Sequence, residues 1–121
     1  MNPNHDLPDD LRNLLPLTPA VFYILFALAN GEKHGYAIMQ EVKAVSGGQF
    51  TMGPGTLYTT IQRLLELALI EETTDDADTE RRRRCYRLSR SGRQVFEAEV
   101  SRMESLVRSA QRRKLAPNAA K

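Results

Sequence analysis

Residues 54–88 read PGTLYTTIQRLLELALIEETTDDADTERRRRCYRL, and two periodicities meet in them. Leu57, Ile61, Leu64, Leu65 and Ala68 recur at i, i+4, i+7, i+8 and i+11, the spacing of one helix stripe laid on a core. A helix is therefore predicted from Pro54 to about Ala68. Its opposite face carries Thr56, Thr59, Thr60 and Arg63, short hydroxyls and one long cation. Leu69 to Thr73 then reads as a strand and Cys85 to Leu88 as another, with Tyr86 and Leu88 alternating against Arg87. A polar turn rich in Asp and Thr joins the two.

Upstream, Thr18 followed by Pro19 is a strong helix start, because the threonine hydroxyl can cap and proline tolerates the first helical position. That helix is predicted to run to about Ala29. Val21, Phe22, Tyr23, Ile24, Leu25, Phe26 and Leu28 leave it almost no polar face, so it needs cover on more than one side, which implies a partner subunit. A second helix is predicted from about His34 to Val45, with Ile38, Val42 and Val45 inward and Gln40, Glu41 and Lys43 outward, before Ser46-Gly47-Gly48 stops it. Downstream, a final helix begins near Ser91. Phe96, Val100, Met103, Val107 and Ala110 form a coiled-coil seam along it, and Arg112, Arg113 and Lys114 favour its C-terminal dipole.

The expected organisation is a flexible arm over residues 1–16, with Leu7, Leu11, Leu14 and Leu15 as apolar anchors. A winged helix-turn-helix unit follows over 17–90, a dimerisation helix over 91–115 and a disordered tail over 116–121. The fold class is mainly α with a small β-hairpin.

Composition excludes several functions. The chain has 121 residues and 41% hydrophobic content, which suits one compact core. No apolar run approaches the roughly 18 residues of a membrane span, and Met1 to Asp10 lack the basic-then-apolar order of an export signal. A soluble cytoplasmic protein without membrane contact is expected. Cys85 is the single cysteine, and with His5 and His34 scattered it cannot build a disulfide or a metal site within one chain, so no metal or cofactor is expected. No nucleophile, base and orienting acid recur at usable spacing, and no phosphate-cradling glycine loop appears, so no catalytic residues are assigned.

The order helix, helix, helix, strand, turn, strand, long helix is the winged helix-turn-helix plan. In it the third helix enters the major groove of double-stranded DNA and the hairpin touches the backbone. Thr56, Thr59, Thr60 and Arg63 can reach base edges and phosphates, and Arg81-Arg82-Arg83-Arg84 supplies concentrated positive charge. The net charge is only +2, because Glu71, Glu72, Asp75, Asp76, Asp78 and Glu80 nearly cancel those arginines. The acidic block is expected on the wing's outgoing strand and tip, leaving Arg82, Arg83 and Arg84 nearer DNA. Tyr58, one residue past the core position Leu57, carries a hydroxyl suited to a phosphate.

Leu17-Thr18-Pro19, His34-Gly35-Tyr36, Gly55-Thr56-Leu57-Tyr58, Arg63-Leu64-Leu65 and Tyr86-Arg87-Leu88-Ser89 with Gly92 resemble the PadR family of transcriptional regulators, over roughly Leu17 to Arg113. With one C-terminal helix, the chain is similar to the short subgroup. The resemblance implies a homodimer built through the first and last helices, with Phe22, Tyr23, Phe26, Phe96, Val100, Met103, Val107 and Ala110 at its interface. It adds Gly55 to the DNA-contacting set, and it implies a repressor on a pseudo-palindromic operator, released by a small-molecule effector. Some of that subgroup hold drug-like aromatics between tryptophans, and this chain has none.

Plainer readings stand beside these. The threonine face is also compatible with a solvated surface, and the arginine run with a solvated wing. His34 suits a locally satisfied helix start, Tyr36 suits packing, and Cys85 suits an inert half-buried thiol. A winged helix that binds proteins instead of DNA, through its acidic wing, is the rival function. The two differ in whether the arginines and the threonine face share one surface.

Overall fold

The computed structural model describes residues 7–75 and 83–117, in the order α1 (Asp9–Arg12), α2 (Pro19–Leu28), β1 (Lys33–His34), α3 (Gly35–Val45), α4 (Pro54–Glu66), β2 (Ile70–Asp75), β3 (Arg83–Leu88) and α5 (Arg90–Arg112). The architecture is mainly helical with a small antiparallel sheet, as the sequence predicts, in strand order β1-β3-β2. The third strand is new. Lys33 and His34 pair with Tyr86 and Cys85, and two residues are too few to show a period in the sequence.

Helix α2 forms the centre, touching α3, α4, α5 and β3. Thr18 caps it by accepting the Val21 N–H at 3.3 Å, and Ile24, Leu25, Ala27 and Leu28 are buried. Its remaining aromatics are only partly covered within the chain. Tyr23 stacks on Phe50 at 5.0 Å, while Phe22 and Phe26 pack on Phe96 of α5 at 5.7 and 5.5 Å. At α3, His34 caps the helix by accepting the Ala37 N–H at 3.4 Å.

Helix α4 is shorter than its apolar stripe suggests. Leu57, Ile61 and Leu64 are buried, but the helix stops at Glu66, and Ala68, expected in the stripe, is exposed with a left-handed φ of 59°. The Ala68 N–H reaches the Leu65 carbonyl and the Leu69 N–H the Leu64 carbonyl, both at 3.0 Å. This Schellman closure satisfies the helix's last carbonyls and turns the chain into β2. The hairpin register is Glu71 opposite Arg87 and Thr74 opposite Arg84.

Two features of the chain ends were not legible in the sequence. Residues 9–12 form a helical turn where no element is predicted, with Leu7 buried and Leu11, Leu14, Leu15 and Leu17 packed on the core. The apolar anchors offset the ordering entropy of this leucine-rich segment. In α5, Val95 and Ala98 are buried, and so is Glu99, at 0% exposure. The Glu99 carboxylate accepts the Leu17 N–H at 2.7 Å and pairs with Arg102 at 2.5 Å, which raises the Arg102 guanidinium further above its ordinary range. A buried carboxylate is costly unless it is paired and hydrogen-bonded, and here it ties α5 to the start of α2.

Helix α5 is docked by Ser89, which accepts the Gly92 N–H at 3.0 Å and donates to the Ala68 carbonyl at 2.6 Å. A Cβ on Gly92 would overlap the Leu69 carbonyl, a backbone atom with nowhere to move. Gly92→Ala is expected to cost about 1–3 kcal/mol, while Ala68→Gly, relieving the left-handed alanine, is expected to stabilise by about 0.5–1 kcal/mol. Urea unfolding followed by circular dichroism measures both, and shifts of the opposite sign would refute the packing described.

Candidate nucleic-acid interface

With Leu57, Ile61 and Leu64 inward, the helical repeat of 100° per residue sends Gly55, Thr59, Gln62 and Glu66 outward at spacings of four, three and four. All four are exposed. Thr56 and Arg63, also exposed, flank this stripe on one side, and Tyr58, 50% exposed, flanks it on the other. Thr60 stands apart. It is half-buried, and its hydroxyl donates to the Thr56 carbonyl at 2.8 Å, so it faces back along the helix. Gln62 and Glu66 carry no apolar period and are not among the expected contacts; the helical repeat taken from the buried Leu57, Ile61 and Leu64 brings them forward, and both are exposed.

Tyr58 joins α4 to the wing. One open cleft is lined by Tyr58, Thr59, Gln62, Arg63 and Glu66, and another by His34, Gly35, Tyr36, Tyr58 and Arg84. The phenol of Tyr58 lies over Gly35 so closely that a Cβ there would strike its hydroxyl. Tyr36, 61% exposed, opens onto the same cleft as Arg84. Burial and then the neighbouring Glu72 carboxylate push the Tyr86 hydroxyl above its ordinary range, with Tyr58 adding to this and Arg84 opposing it as a nearby cation. That phenol is neutral and contributes no charge to the face.

Arg84 is paired with Glu72 at 3.4 Å, with side chains 78% and 41% exposed, and Arg87 with Glu71 at 3.0 Å. Exposed pairs of this kind are worth about 0–1 kcal/mol, so Arg84 can exchange a carboxylate for another anion at little cost. Arg83 opens β3, and Arg82, with the hairpin tip, lies outside the described residues.

The residues expected at a subunit interface fall into two groups. Phe22, Tyr23, Phe96, Met103 and Ala110 are half-buried within the chain; Phe26, Val100 and Val107 are exposed, at 39%, 40% and 52%. Phe26, Ala29, Asn30, Glu41, Phe96 and Val100 line an apolar groove between α2, α3 and α5. Among the described residues no group of acidic, histidine or cysteine side chains could hold a metal ion, and no helix is long and apolar enough to cross a membrane.

The family model for PadR-like transcriptional regulators matches residues 24–98, well over half of the chain. The chain is 26% identical to Bacillus subtilis PadR, whose structure was solved in complex with operator DNA, with a TM-score of 0.60 over 68% of this chain and 45% of that one. A transcriptional regulator of Clostridium thermocellum matches at 21% identity and a TM-score of 0.62, covering 87% of this chain and 97% of that one. Bordetella bronchiseptica BpsR, whose DNA binding is regulated by 6-hydroxynicotinic acid, matches at 24% identity and a TM-score of 0.60, covering 87% and 69%. An uncharacterised protein of transposon TN4556 from Streptomyces fradiae is 36% identical over 72% of this chain, which spans only 24% of that relative's length.

Gly55 makes a structural point of its own. A Cβ there would meet nothing within 4 Å, so nothing inside the chain requires a glycine in the first turn of α4. Gly55→Ala is expected to leave thermal stability unchanged or to raise it by up to about 1 kcal/mol, the helix-propensity gain of alanine. A lowered melting temperature would mean that this glycine serves the fold.

Proposed function

The chain belongs to the PadR-like family of transcriptional regulators, and on that premise we propose that it is a sequence-specific repressor that binds a pseudo-palindromic operator as a homodimer in the cytoplasm. Residues 17–90 are the DNA-binding unit and 91–115 the dimerisation helix. One observation carries the reading: the outward stripe of α4 and Arg84 of the wing meet through Tyr58 on one surface. A groove-entering helix needs unsatisfied polar side chains on a rigid scaffold, and its register on the duplex is held by contacts to the flanking phosphates. Thr56, Thr59 and Arg63 suit the first task. Tyr58, Arg84 and, beside it, Tyr36 suit the second, with Arg82 and Arg83 extending the wing's positive charge. Gly55, open on its outer side, lets the helix backbone approach the groove closely.

A protein-interaction module using the acidic wing is the rival. Glu71 and Glu72 face Arg87 and Arg84 in exposed ion pairs, so the described part of that strand presents mixed charge and not a purely acidic surface, which favours DNA. For the homodimer, support comes from the exposed Val100 and Val107 in register with the half-buried Met103 and Ala110, a seam left open along α5. The groove lined by Phe26, Phe96 and Val100 runs into that seam, and a small molecule seated there would change the spacing of the two α4 helices and release DNA.

Three experiments test this. The triple substitution Arg82→Ala, Arg83→Ala, Arg84→Ala is expected to weaken binding to all DNA alike and to flatten the salt dependence, about 0.9 in the log–log slope per lost phosphate contact. Gly55→Ala should weaken binding without loss of stability. An unaltered slope would show that the wing does not grip DNA. Separately, Val100→Glu with Met103→Glu is expected to give monomers or insoluble protein in sedimentation. A folded dimer with the double substitution would remove α5 from the interface.

A further inference from the structure

Gln62 lies on the outward stripe of α4 one turn beyond Thr59, exposed, its side-chain amide without a hydrogen-bond partner among the described residues. Ile61 and Leu64, which bracket Gln62 and Arg63 on α4, are 2% and 0% exposed, so the backbone that carries Gln62 is pinned to the core and its direction is set before any partner arrives. The side chains sharing its cleft differ in what they can recognise. A threonine hydroxyl such as that of Thr59 donates or accepts and accommodates more than one base. The Arg63 guanidinium only donates, matching guanine or a phosphate, and the Glu66 carboxylate only accepts. Gln62 alone on this face presents a donor and an acceptor side by side in one plane. Adenine offers the complement in the major groove, its N7 accepting and its N6 amino group donating.

Resting on the DNA-binding reading above, we infer that Gln62 is a specificity-determining residue that reads one adenine in each half-site. Glu66, one turn further along the same stripe, reinforces this by placing negative charge where a deeper or shifted docking would meet phosphate.

The full-length chain and its Gln62→Ala and Gln62→Arg variants are each carried through selection on a randomised double-stranded DNA library. The wild type is expected to enrich a twofold motif with adenine at one fixed position of each half. Gln62→Ala is expected to lose the preference at that position alone and to bind the best wild-type site about 5- to 150-fold more weakly. Gln62→Arg is expected to move the preference there to guanine. Retention of the whole wild-type motif by Gln62→Ala, or an equal loss of preference at every position, overturns the assignment to Gln62 while leaving the DNA-binding reading in place. A wild type that enriches no motif overturns both, so the two failures are told apart.

Discussion

The inward anchoring of Leu57, Ile61 and Leu64 is the constraint on which the functional face depends. Each buried side chain contributes roughly 1.5–3 kcal/mol of apolar burial, and together they fix the rotation of α4 about its axis. Once that rotation is fixed, the helical repeat leaves no freedom in where the polar residues point. Thr59 and Gln62 face out because Ile61 and Leu64 face in. Thr60, adjacent in sequence to Thr59, is carried to the other side and bonds back to the helix.

The same anchoring settles how α4 meets its neighbours. Tyr58 reaches across to Gly35, whose missing Cβ leaves room for its phenol, and the same ring shares a cleft with Arg84 of the wing. At the far end, the turn through Ala68 hands the chain to the hairpin, and Ser89 and Gly92 clamp α5 against that turn. The end of α4 and the long helix are therefore joined through the backbone of Ala68 and Leu69. Glu99 adds a second tie, from α5 to Leu17 at the start of α2. A displacement of α5 would be felt in α2 and in the base of the wing.

Charge on this molecule is a matter of position. The net value of +2 hides an arginine-rich strand lying against an acidic one. In the free chain the two neutralise each other through exposed pairs, which are weak enough to be given up. Electrostatic attraction to a polyanion is thus held in a form that does not burden the isolated protein with strong self-repulsion.

The sequence by itself determined the order of the main elements, the inward stripes of α3 and α4, the cap at Thr18 and the local nature of the basic charge, because each follows from periodicity or from neighbours within one turn. The motif segments also pointed to the family over nearly the whole folded region. Only the tertiary structure decided what depends on residues distant along the chain. Glu99 looks like a solvated charge until it meets Leu17, 82 residues away. The bridge of Lys33–His34 to β3 exists only once the hairpin is in place. Ala68 belongs to the apolar stripe by spacing, yet the closure of α4 puts it in the left-handed turn. Gln62 lies opposite that stripe by spacing alone, but whether another element would cover that side was decided only by the packing, which leaves it exposed.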